Sequence, residues 1–319
     1  MEHPKRIYEL LLDHCSSEAV VTNLMIGLVW TYCQTDAHSA GLAMSPGVAT
    51  RTLPWSGSLH GKAVKDLAAW ITHWEPYQAT VAMAAINSCL NARELPEAVT
   101  LLNPHDAGNL AVFNYFLPQL HGKNVVVIGH YPGIEKLQEH MQLTILEKQP
   151  LAGDLPDAAC EFLLPQADWV FLTASSIPNK TFPRLAELAG NAQTVLMGPT
   201  LPWLPQLHEF GIDYLAGVEI IDPQWVYHTA AQGGGVRLFQ QGVQYKVAHL
   251  TPDTSLAWLR AHIAACAAEK HALSAAMDDW YSAGNSRRFP NYPLLEATNI
   301  RLSRLDSSYK PLWDQQSKT

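Results

Sequence analysis

The sequence predicts an α/β protein: a Rossmann-like, doubly wound parallel sheet preceded by a small α+β domain and followed by a C-terminal helical and irregular extension. Three observations carry this. Short apolar runs recur at 124–129, 142–147, 168–173, 193–197 and 213–219, with helical patterns near 133–140, 157–164, 180–189 and 203–209 between them. Strands alternating with helices imply a parallel sheet with right-handed crossovers. Before residue 100 the rhythm differs, and after about 250 strand signals cease. The implied domains are 1–103, 104–250 and 251–319.

Taken in order, residues 4–15 have Ile7, Leu10, Leu11 and Cys15 at helical spacing. VVTNLMIGLVWTYC (20–33) carries the β-branched and aromatic residues of one long strand, and AGLAM (40–44) those of a second. GKAVKDLAAWI (61–71) and EPYQATVAMAAINSCLNAR (75–93) are helical by period. LPEAVTLLNPHDAGN (95–109) reads as a linker from its Pro, Asn and Gly content. A helix over about 255–282 and an irregular aromatic-basic tail close the chain.

Bulk properties exclude several functions. The chain has 319 residues, 48% of them hydrophobic, enough for a large core. No apolar run reaches the length of a membrane span, and MEHPKRIYELLLDHC lacks the features of a signal peptide. Five scattered cysteines contain no CxxC pair, which predicts reduced thiols and no structural zinc ribbon. These features predict a cytoplasmic protein. A net charge of −8 disfavours general nucleic-acid binding. Residues 285–319 run the other way, with six Lys/Arg against three Asp/Glu. This tail either packs on an acidic body or docks on a partner or a second subunit.

In a doubly wound sheet, ligands bind beyond the carboxyl ends of the strands. VVVIGHYPG (125–133) begins as a buried strand running into Gly129, but supplies His130, Tyr131 and Pro132 where a dinucleotide fold has a second glycine. The next strand ends in Glu147, eighteen residues after Gly129, near the spacing at which an acidic side chain takes ribose hydroxyls. The third delivers Thr173 and the fourth Gly198-Pro199-Thr200. Singly these are ordinary strand ends; together they mark a ligand crevice. In SIPNKT (176–181), Pro178 suits the first turn of a helix. Free backbone N–H groups there, with Ser175, Ser176, Asn179 and Thr181, favour an anionic group, although plain N-capping reads equally well. Gly233–Gly235 permits close backbone approach, as does any glycine turn. His262 and Cys266, one helical turn apart, lack a third metal donor. No GxSxG, P-loop or HExxH motif is present.

GDLPDAACEFLLPQADWVFLTASSIPNKT, with VVVIGHYPG before it and LMGPTLP after it, closely resembles the uncharacterised DUF364 family, named for an inferred heavy-metal chelation role. The first 100 residues resemble its associated DUF4213 domain, and the resemblance covers roughly residues 10–250. It implies an N-terminal domain shaped like that of enolase, a Rossmann-like domain, and an active site in the cleft between them. The matching cleft positions are Asn87, Gly129, Tyr131, Pro132, Glu147, Asp154, Asp157, Thr173, Asn179, Thr181, Gly198 and Pro199. It assigns no chemistry to His130 and says nothing of the last seventy residues.

The leading expectation is a site for a metal ion or metal chelate, with Glu147, Asp154 and Asp157 as oxygen donors; such donors favour hard cations, and no soft thiolate cluster is present. An anionic metallophore held by backbone amides is a second form of the same reading. The rival is an enzyme using an adenosine-containing cofactor, S-adenosylmethionine or NAD, with Glu147 on the ribose and Asp154 or Tyr131 as acid–base candidates. Tyr131 and Pro132 obstruct a pyrophosphate, which S-adenosylmethionine lacks. A third class is an interaction protein that docks through its tail.

Overall fold

The computed structural model describes residues 4–15, 19–92, 99–103 and 108–316. Helix α1 (Arg6–Asp13) buries Ile7, Tyr8, Leu10 and Leu11 on one stripe. The run expected as one strand is a hairpin of β1 (Val21–Ile26) and β2 (Trp30–Thr35). Residues 24–30 around the turn are apolar throughout, so only Gly27 marks the bend. The Gly27 N–H donates to Trp30 O, and a Cβ here would stand 2.5 Å from Ala230 O. β3 (Ala40–Met44) completes an antiparallel sheet in the order β1-β2-β3.

α2 (Val64–Ala68) leads through a 3-10 turn to α3 (Pro76–Leu90). The Glu75 carboxylate caps α3 by accepting from the Gln78 N–H, and Pro76 occupies its first turn. α3 is buried on every side, as its all-round apolar sequence requires. It lies in backbone contact with β3, because a Cβ on Gly41 would stand 2.3 Å from Ala84 O.

A second sheet holds the rest. In chain order come β4 (Val99–Leu101), α4 (Ala111–Leu120), β5 (Asn124–Ile128), β6 (Gln142–Glu147), β7 (Leu155–Pro156), α5 (Cys160–Leu163), β8 (Trp169–Thr173), α6 (Phe182–Leu188), β9 (Gln193–Met197), β10 (Tyr214–Ile220), α7 (Pro223–Ala231) and β11 (Val243–His249). Among the described residues the order is β4-β11-β10-β9-β8-β5-β6-β7. β5 through β10 run parallel, and β11 is antiparallel to both β10 and β4. The five apolar runs read as strands are β5, β6, β8, β9 and β10. Two of the expected helices, near 133–140 and 203–209, are 3-10 turns at Ile134–Leu137 and Pro205–Phe210. The middle of the expected linker is strand β4; its parts at 95–98 and 104–107 lie outside the described residues.

The period-two alternation of the strands sorts their side chains to two cores. Val126, Ile128, Val170, Leu172 and Leu196 pack with α1 and α3. Val125, Val127, Trp169, Phe171, Val195 and Met197 pack with α4, α7 and the inward face of β2. The small sheet and its helices therefore share their core with the large one.

The chain ends in two long helices, α8 (Pro252–Ser282) and α9 (Tyr292–Gln316). The tail expected to be irregular is helical because Leu295, Thr298, Arg301, Leu305, Ser308 and Leu312 form a buried stripe at spacings of three and four. Arg301 pairs with Glu269 and donates to Cys266 Sγ at 3.3 Å, and Arg304 pairs with Asp13 of α1. Much of the basic tail is thus engaged by its own chain. No helix among the described residues is long and apolar enough to cross a membrane.

Candidate functional site

The strand order reverses between β5 and β8, and the loops leaving β5, β6, β8 and β9 gather at that point. Gly129 follows β5, and its φ of +101° lies where side-chain-bearing residues are strained. The His130 N–H donates to Glu147 Oε2 at 3.0 Å, and the Lys148 N–H donates to Oε1 at 2.7 Å. The His130 ring Nδ1 lies 3.1 Å from both oxygens of Asp154, and Asp154 Oδ2 also accepts from the Leu151 N–H at 2.9 Å. The Asp154 side chain is 1% exposed and that of His130 22%. A buried carboxylate therefore orients a ring that solvent reaches. Among the described residues, Nε2 of His130 has no hydrogen-bond partner.

Sequence reasoning passed over His130, although Glu147 and Asp154 both serve it. Neither carboxylate joins Asp157, which is exposed at the start of a 3-10 turn. Among the described residues no three His, Cys, Asp or Glu side chains form a group that could hold a metal ion. Cys15, Cys33, Cys89 and Cys266 are buried. His262 and Cys266 are engaged in packing: His262 Nε2 accepts from Trp258 Nε1 at 3.1 Å, and Cys266 Sγ donates to Thr298 O.

The turn after Gly129 settles one question the sequence raised. Tyr131 and the exposed Pro132 lead into a four-residue 3-10 turn, Ile134–Leu137, with Gly133 at φ +90°. A dinucleotide fold places an α-helix N-terminus there to receive the pyrophosphate. Here that helix is absent.

The loops after β8 and β9 are built differently. Thr173 Oγ1 is 3.0 Å from Ser175 Oγ, and the Tyr131 phenol lies beside Thr173. Burial pushes that phenol up to about 12, so Tyr131 keeps its proton and is poorly suited to acid–base exchange near neutrality. In the SIPNKT loop the N–H groups of Ile177, Asn179, Lys180 and Thr181 donate to Ala174, Ser175, Ile177 and Ser176. The expected free-amide cradle is therefore closed on itself. Pro178 is buried in this turn, and helix α6 starts only at Phe182, with Pro183 in its first turn.

Gly198 follows β9 at φ +108°, and a Cβ there would stand 3.9 Å from the Tyr131 hydroxyl. Pro199 is half-buried. Thr200 then ties the two sheets together. Its hydroxyl accepts from the Met44 N–H at 2.9 Å, and its carbonyl accepts from Asn87 Nδ2 at 3.0 Å. Asn87 Nδ2 also donates to Leu42 O at 2.8 Å. Two carbonyls require the amide nitrogen on that side, so the orientation of Asn87 is fixed. Among the described residues its Oδ1, and Ser176 Oγ, are buried without partners. Lys180, at φ +67°, adds a second tie: its ammonium donates to Ile71 O and lies 4.5 Å from the centroid of the Tyr8 ring. Burial lowers this lysine to about 8.

Two further features fall outside the crevice. Gly233–Gly235 seats the β1–β2 turn: Trp30 Nε1 donates to Gly235 O at 3.1 Å, and a Cβ on Gly233 would meet Leu28. A small polar recess between α1 and α9 is lined by Arg6, Arg301 and Arg304. These pair with Glu209, Glu269 and Asp13, which balance the local charge.

Residues 111–249 match the DUF364 family model and residues 8–90 the DUF4213 model, each described as "Putative heavy-metal chelation". Both matches end before α8. An uncharacterised protein of Methanocaldococcus jannaschii is 29% identical over 158 residues, 46% of this chain and 56% of that protein. The chain thus spans about half the length of the curated relative it matches. A DUF364-family structure of unknown function from Desulfitobacterium hafniense aligns with a TM-score of 0.69 and 29% identity, over 78% of this chain and 100% of that one. A second, from Pyrococcus horikoshii, aligns with a TM-score of 0.61 and 19% identity, over 77% and 99%, and shows the fold alone.

Proposed function

This chain belongs to the DUF364 family, with a DUF4213 domain ahead of the DUF364 domain, and on that premise we propose that it binds a small organic chelate carrying a metal ion. The site is the crevice at the carboxyl ends of β5, β6, β8 and β9. The observation that carries this reading is the engagement of the acidic side chains. Each oxygen of Glu147 and Asp154 is already bonded to a backbone N–H or to His130, and Asp157 stands apart. A bare ion held by protein donors alone does not fit this arrangement, nor does a soft thiolate site. A chelate brings its own donors and needs from the protein only a shaped, polar edge.

Native mass spectrometry of gently purified protein, with elemental analysis of the same sample, tests the reading. The expected result is one metal-containing organic adduct per chain. A metal-free adduct of nucleoside mass would overturn it in favour of an enzyme using an adenosine-containing cofactor. That second reading draws support from the place of Glu147, at the end of the strand beside β5, where an acidic side chain takes ribose hydroxyls in dinucleotide folds. Within it, the missing helix after Gly129 favours S-adenosylmethionine over NAD. Titration with both cofactors separates these cases.

A further inference from the structure

We infer that His130 Nε2 is the one protein donor to the chelated metal, and that Asp154 is its positioning residue; this rests on the chelate reading above. The Asp154 carboxylate faces Nδ1 with both oxygens at 3.1 Å, which holds the ring proton on Nδ1. The lone pair is thereby left on Nε2, the tautomer that coordinates a metal. A carboxylate behind a ligating imidazole also fixes the orientation of the ring. Glu147 anchors the backbone of the same residue through its N–H, and Gly129 supplies the turn that sends His130 off the strand end. His130 is solvent-accessible while its carboxylate is buried, so the donor is reachable and its support is shielded from water.

One imidazole does not hold a free ion, and among the described residues no group of three donors assists it. The ligand class is therefore a divalent first-row ion, of the kind imidazole suits, already held by a multidentate organic chelator with an open coordination position. The protein would recognise the ensemble by filling that position.

The probe is copper(II)–iminodiacetate, which leaves coordination sites open, titrated into the whole chain by calorimetry and followed by electron paramagnetic resonance. The expected result is one tight equivalent whose spectrum carries the splitting of a single imidazole nitrogen. It is lost in His130→Gln and retained in His60→Ala, a histidine exposed elsewhere. Asp154→Asn, which preserves shape, should weaken it by roughly 10–100-fold without abolishing it. A tight equivalent that survives His130→Gln would overturn the assignment of His130 while leaving the chelate reading standing. If wild type takes up no tight equivalent, the His130 assignment fails, while the chelate reading is decided separately by the native adduct. If Asp154→Asn binds like wild type, the positioning role falls and His130 acts alone.

Discussion

The two sides of the strand-order switch point use similar residues to opposite ends. Beyond β5 and β6, Glu147 and Asp154 are organised around His130, a half-buried ring with one nitrogen left over. Beyond β8 and β9, Thr173 and Ser175 bond each other, and Thr200 with Asn87 holds the small sheet against the large one. Position at the carboxyl edge does not by itself make a residue a ligand contact. Burial and existing partners decide.

The comparison breaks first at Asn87. Replacing it with leucine removes the donor shared by Leu42 O and Thr200 O, two buried carbonyls, and should lower stability by about 2–5 kcal/mol. Urea denaturation would show this as an earlier midpoint; an unchanged midpoint would mean that the contact between sheets does not depend on this amide. Thr200→Val leaves the Met44 N–H without its acceptor and should cost about 1–3 kcal/mol in the same assay. Glu147→Gln keeps one carbonyl acceptor for the paired amides and should change stability by about 1 kcal/mol or less. Its effect should appear instead as faster amide exchange at His130 and Lys148.

A subtler test concerns Lys180. Its folded value, about 8, lies below the ordinary ammonium value of 10.5, so between these limits the unfolded chain binds more protons than the folded one. Stability should then rise with pH from about 8 to 10.5, with no contribution to the slope below 8. Lys180→Met should flatten that rise in urea midpoints taken at successive pH values. An identical pH slope in the variant would assign the rise to other groups.

Much of the large sheet was legible because parallel strands are continuous apolar runs with a sharp period. The β1–β2 turn was not, since its apolar run is unbroken apart from Gly27. Helix α9 was hidden by Thr298, Arg301 and Ser308 at buried stripe positions; for the first two, α8 supplies the partners Glu269 and Cys266. The crevice edge could be located from strand ends, but the work of each residue there could not. Asn87 looked like a ligand contact and ties the two sheets together. The SIPNKT amides looked free and close on their own loop. His130 offered no motif, because its partner Asp154 lies on a different loop and meets it only in the fold.

The contrast between the two sides is tested most directly by measuring the affinity of copper(II)–iminodiacetate for Asp154→Asn and Thr200→Val in parallel. The expected result is a loss of roughly 10–100-fold in the first and wild-type affinity in the second, although only the second is substantially destabilised. Equal affinities would contradict the role given to Asp154, and a loss confined to Thr200→Val would place the ligand on the β8–β9 side.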